Sequence, residues 1–144
     1  MVAEGAIVIC YPASKARHGP WWQALRAAGV PIVASWIDAR LNEPGAEPTD
    51  AWQDHWRACV EQAAAADICL FVCNEGEQAC GQLIEAGAAL AAGKCVFVVS
   101  PYEWTFANHP RCRTFPTLDA AITAIMAAQA GEQARERMMR NRAA

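Results

Sequence analysis

Four short runs of apolar, β-prone residues alternate with stretches of helical periodicity, and that alternation leaves few architectures open. The runs are AIVICY (6–11), VPIVASW (30–36), DICLFVC (67–73) and KCVFVVS (94–100). Each is apolar nearly throughout instead of alternating with polar residues, the mark of strands buried on both faces. Strands separated by helices form βαβ units with right-handed crossovers, hence a parallel sheet covered on both sides. The pattern predicts a three-layer α/β/α sandwich of flavodoxin-like (Rossmann-like) type, with four to five strands in the order 2-1-3-4-5. A short fifth strand is expected near CRTF (112–115).

The helices between the strands carry their own signals. One begins at Pro20, where a missing N–H costs nothing, and ends at Gly29. The stretch 37–49 reads as a long loop. A second helix starts at Asp50, with Gln53 three residues on as a capping box. A third, CGQLIEAGAALAA, ends at Gly93, and Thr117 caps a fourth, LDAAITAIMAAQ. Residues 1–130 are expected to form one domain, and the Arg-rich 131–144 a helical or frayed tail.

The 144 residues suffice for one self-supporting core, and a hydrophobic fraction of 54% with 19% charged excludes a disordered chain. A net charge of −3 argues against a dedicated nucleic-acid or membrane-surface binder. No apolar run is long enough to span a bilayer and no secretory signal pattern opens the chain, so a soluble cytoplasmic protein is expected. Seven cysteines occur without a CxxC pair. Cys10, Cys69, Cys73 and Cys95 lie inside the apolar runs and read as reduced core residues, with neither metal nor cofactor implied.

In an open parallel sheet, ligands bind beyond the carboxyl ends of the strands at the point where strand order reverses. Here that point lies between the first and third strands, and the loops after residues 11, 73 and 100 are expected to surround it. The first loop carries Tyr11, Ser14, Lys15, Arg17 and His18 ahead of a helix start, either a phosphate site or a solvated surface loop. Neither GxGxxG nor a Walker-type GxxxxGK[ST] is present. Glu85 is the sole carboxylate in a helix of small and apolar residues, so it either faces solvent or projects into the crevice. Partial burial there raises its pKa. Trp36 and Trp104 follow strands and could stack on a base, whereas Trp52 and Trp56, four apart, read as core or interface. His18 and His109 read as surface loop residues.

The segments YPAS (11–14), AD (66–67) and GQLIEAGAALAAGKCVFVV (81–99) resemble the nucleoside 2-deoxyribosyltransferase and nucleotide N-glycosidase family, over residues 6–100 and up to 122. The resemblance implies that Glu85 is the nucleophile, that Tyr11 orients it and that Gly81 belongs to the loop approaching the sugar. It makes the SKAR segment (14–17) similar to the phosphate-binding loop of the nucleotide hydrolases. Three departures stand out. Ala79 replaces a sugar-contacting Ser or Asp, Leu83 replaces a glycine and is expected to narrow the sugar pocket, and residues 59–61 lack the Asp that handles the leaving base. Asp38 and Glu61 remain as acids by reach alone, and Asp38 and Trp36 are taken as substrate contacts.

The implied activity is hydrolysis of an N-glycosidic bond, or (deoxy)ribosyl transfer, on a nucleotide or nucleoside through a covalent glutamate ester. Without an acid, loss of a poor base is slow, and an activated base such as nicotinamide needs that help less. The alternative is a non-catalytic nucleotide-binding module on the same scaffold. A small-molecule partner is expected rather than nucleic acid or membrane. The small residues of the third helix and the paired tryptophans suggest a homo-oligomer, a dimer or higher.

Overall fold

The computed structural model describes residues 7–39 and 49–143. Four parallel strands, β1 (Cys10–Ala13), β2 (Ile68–Val72), β3 (Cys95–Val99) and β4 (Cys112–Phe115), lie in the order β1-β2-β3-β4. The helices are α1 (Gly19–Ala27), α2 (Thr49–Ala65), α3 (Gly81–Ala91) and α4 (Leu118–Ala143), and short 3-10 turns cover Ala16–His18, Ser35–Asp38 and Thr105–Asn108.

The expected α/β sandwich with a parallel sheet is present, with two adjustments at its first edge. The first strand is centred later than the apolar run suggested, at 10–13. The run 30–36 contributes a single parallel bridge, Ile32 to Cys10, in place of a strand. Two backbone bonds make that bridge: Cys10 N–H to the Pro31 carbonyl at 2.9 Å and Val33 N–H to the Cys10 carbonyl at 3.0 Å. Pro31 has no N–H to extend the ladder, and the chain turns into the 3-10 helix at Ser35. The bridge still places this segment outside β1, so the order of segments is the one the sequence predicted.

Every residue of β2 is buried, which requires cover on both faces. On one side α2 and α3 pack against each other and reach β1, and α3 also covers β2 and β3; α4 packs on β2, β3 and β4. The core runs through Tyr11, Trp22, Leu70, Phe71, Val96, Val98 and Ile125. Thr117 caps α4 as expected, its Oγ1 accepting from the Ala120 amide at 3.1 Å. That helix continues through the Arg-rich segment to Ala143. Gly29 and Gly93 adopt φ of 101° and 79° after α1 and α3, a conformation that favours glycine. Cys10, Cys59, Cys69 and Cys73 are buried thiols. Cys95, expected in the core, is exposed at the start of β3, and its place among the buried thiols is taken by Cys59 of α2. Arg40–Pro48 and the Asp50 side chain, the expected cap of α2, lie outside the described residues.

Candidate active site

A cavity of about 420 Å³ opens beyond the end of β1, on the side where strand order reverses, and the loop after residue 73, expected to border it, contributes no wall. Its walls come from the loop after β1 (Ser14, Lys15, Ala16), the 3-10 turn (Trp36), α2 (Trp52, His55, Trp56, Cys59) and the start of α3 (Gly81, Gln82, Glu85).

Glu85 faces inward because of its spacing on α3. Gln82, Glu85, Ala86 and Ala89 are the buried residues of that helix, the i, i+3, i+4, i+7 stripe of one helical face. The residue is 6% exposed, and burial raises its pKa from 4.5 to about 7, partly offset by the Tyr11 phenol. Tyr11 is fully buried, and the same crowding pushes its hydroxyl far above the ordinary phenol range, through desolvation first and then the Glu85 charge. The two groups are close enough to couple, yet neither Tyr11 Oη nor Glu85 Oε2 closes a bond of full hydrogen-bonding geometry. Gln82 Nε2 is a third buried polar atom without a partner. Orphaned buried polar atoms are uncommon in folded proteins, and here two of them, on Gln82 and Glu85, belong to residues lining one cavity, with the Tyr11 hydroxyl buried behind it.

The other walls are held by specific bonds. Trp22 Nε1 donates to Ser14 Oγ at 2.7 Å, leaving the serine proton free to donate. Trp36 Nε1 donates to the Pro12 carbonyl at 2.8 Å, fixing the indole edge. A Cβ at Gly81 would stand 2.8 Å from Trp56 Cη2, so the ring needs glycine there to lie over the start of α3. His55 meets Trp52 and Trp56 edge-on and contacts Cys59 Sγ at 3.6 Å. Burial lowers the His55 pKa and raises that of the Cys59 thiol.

Of the residues singled out from sequence, Ser14, Lys15, Trp36, Gly81 and Glu85 meet at this cavity. Tyr11, Arg17 and Asp38 lie outside its lining, Tyr11 because it is fully buried in β1. Arg17 donates to Glu77 Oε2 at 2.5 Å, while Asp38 is exposed and paired with both terminal nitrogens of Arg26 at 2.9 and 3.0 Å. Leu83, expected to narrow the pocket, is 38% exposed and not part of the lining. The loop after residue 100 borders a separate cavity of about 570 Å³, where Trp104 packs edge-on against Phe71 and donates to Ser100 Oγ.

His18, expected at the surface, is buried between Trp21, stacked at 4.0 Å, and Glu77 Oε2 at 2.7 Å from its Nε2. Glu77 is the hub of this cluster. Desolvation alone would raise its pKa, but the Asn74 amide, Arg17 and His18 outweigh that and hold the carboxyl low.

Sequence reasoning missed Trp52, Trp56, His55, Cys59 and Gln82 as wall residues. The available signal was the aromatic pair at i, i+4, which marks one helix face but does not say whether that face meets core, solvent or cavity. Among the described residues no group of three His, Cys, Asp or Glu side chains could hold a metal ion, and no helix is long and apolar enough to cross a membrane.

No protein-family model matches this chain, and no curated protein matches it. Solved structures do. A 2-deoxyribosyltransferase from the psychrotolerant bacterium Bacillus psychrosaccharolyticus, described as a biocatalyst for nucleoside synthesis, superimposes with a TM-score of 0.61 at 19% identity, covering 79% of this chain and 90% of that one. A 2-deoxyribosyltransferase from Leishmania mexicana superimposes with a TM-score of 0.54 at 17% identity, covering 81% and 95%. The chain shares their fold.

Proposed function

We propose that a chain with the fold of the 2-deoxyribosyltransferases, and with Glu85 buried at the reversal point of the sheet, cleaves or transfers the N-glycosidic bond of a nucleotide or nucleoside. The observation that carries this reading is the Glu85 carboxyl itself, inward-facing, desolvated and with an unbonded oxygen beside the unbonded Tyr11 hydroxyl. Such an oxygen attacks the anomeric carbon, the base departs through an oxocarbenium-like state, and water or a second base resolves the ester. Tyr11 orients the carboxylate. Gly81 keeps the approach to Glu85 open, and Trp36 gives the base a flat wall.

Ser14 and Lys15 take a 5′-phosphate. Lys15 supplies charge, and the Ser14 proton is directed by the Trp22 bond. Arg17 steadies the same loop through Glu77. A second reading, a nucleotide-binding module without turnover, is favoured by one observation: Glu85 is the only carboxylate among the described lining residues.

Half-exposed apolar side chains on α2 and α3, Trp56, Val60, Leu83 and Ile84, support the homo-oligomer read from sequence. Light scattering tests it, a mass of a single 15.6 kDa chain being the contrary result. Incubation with a panel of nucleosides and nucleotides, followed by chromatography for free base, tests the main proposal. Released base is expected, while ligand-induced thermal stabilisation without release would favour the binding module.

A further inference from the structure

Three of the six tryptophans in the chain, Trp36, Trp52 and Trp56, line the one cavity that holds Glu85. Trp36 is fixed by its bond to Pro12, and Trp52 and Trp56 flank His55 with ring centroids 5.4 and 6.1 Å from it and planes near perpendicular. Tryptophan has the most attractive ring face for a cation, and clustered aromatic walls recognise quaternary nitrogen. We propose that the preferred substrate is a nucleotide whose base bears a fixed positive charge on its glycosidic nitrogen, a pyridinium or an N-alkylated purinium, seated among these tryptophans. The proposal rests on the reading of Glu85 as nucleophile.

The groups facing the cavity explain why such a base suits this chain. The titratable side chains in the described lining are Lys15, His55, Cys59 and Glu85. Glu85 is the nucleophile and Lys15 is committed to the phosphate. Burial disfavours the protonated form of His55 and weakens Cys59 as an acid. A neutral base leaves as an anion unless a donor protonates it, and among these described side chains none is a ready acid for that step. A cationic base needs no proton. A Glu85 oxygen bonds to C1′, the C1′–N bond breaks, and its electron pair cancels the charge on nitrogen. Water then bonds to C1′, the ester pair returns to Glu85, and one proton passes to solvent. The cation also favours the ionised form of the nearby carboxyl before attack.

The test compares nicotinamide mononucleotide with its 1,4-dihydro form, which has the same ribose and phosphate but an uncharged ring, by titration calorimetry on the unaltered protein. Binding of the pyridinium form at least roughly tenfold tighter is expected, with the ratio reduced in Trp52→Phe and Trp56→Phe. Equal affinities, a reversed order, or no binding of either would overturn the proposal. Nicotinamide release is scored separately. Cation-selective binding without release would leave the cage standing and remove the nucleophile. Release of base from AMP or dCMP as fast as from the pyridinium nucleotide would do the opposite.

Discussion

Tyr11 and Glu85 are buried and close enough for each to shift the other's ionisation, while neither Tyr11 Oη nor Glu85 Oε2 closes a hydrogen bond of full geometry. A carboxyl in that position is held partly protonated near neutrality, its pKa raised by burial to about 7. Catalysis through the ionised form is therefore expected to rise with pH across that value and level off above it. The stability consequence has the opposite sign. A carboxyl raised from 4.5 favours the folded state fully below that ordinary value and loses this contribution as pH climbs through about 7. Glu85→Gln, which removes the buried charge, should be more stable than the natural protein at pH 8, by up to about 3 kcal/mol. The difference should vanish near pH 4, as read by thermal unfolding at both pH values.

Gly81 and Trp56 set the shape of the cavity mouth. An added Cβ at 81 would meet the far edge of the Trp56 ring at 2.8 Å, and the half-exposed ring can swing away. Gly81→Ala is expected to change stability by no more than about 1 kcal/mol, since alanine also favours the helix, and yet to weaken nucleotide binding several-fold. Unaltered binding in that variant would mean that Trp56 takes no part in the site.

Lys15 is the cation in the described lining. If it holds a 5′-phosphate, the nucleotide should bind more tightly than its nucleoside, and Lys15→Ala should remove most of that preference. A charge-assisted bond of ~1.5–3 kcal/mol corresponds to roughly tenfold or more in affinity. The preference should also weaken with added salt. Equal binding of nucleotide and nucleoside by the natural protein would refute the assignment.

Glu77 holds the loops after β1 and β2 together. Its side chain is 1% exposed, covered by Arg17, which is itself 69% exposed. Because solvent reaches that pair, Glu77→Gln should cost only about 1–3 kcal/mol in denaturant unfolding. A carboxyl held low gives its stability in full above the ordinary carboxylate range and loses it as pH falls through the folded value. The two proteins should therefore converge in acid.

The sheet and the inward glutamate were legible because each rests on a local rule. Apolar runs such as ICLFVC can be buried only between two layers, and a lone Glu85 in a helix of alanines has few places to go. The second run failed as a strand because Pro31 removes a ladder donor and Trp36 is drawn to the Pro12 carbonyl, a tertiary contact that no local pattern encodes. His18 and Glu77, 59 residues apart in sequence, form a buried pair. Nothing in either segment announces the other. The walls of the cavity were hidden for a related reason: Trp52 and Trp56 show the helical spacing of a packed face, and only the docking of α2 on α3 turns that face toward Glu85.

Base release by the Glu85→Gln variant tests the role of Glu85 most directly. The natural protein and the variant are incubated with the nucleotide that the panel identifies, and free base is followed by chromatography alongside ligand binding by calorimetry. The variant is expected to bind the nucleotide, keep its fold and release no base above the uncatalysed background. Release by the variant at a rate comparable to that of the natural protein would contradict that role.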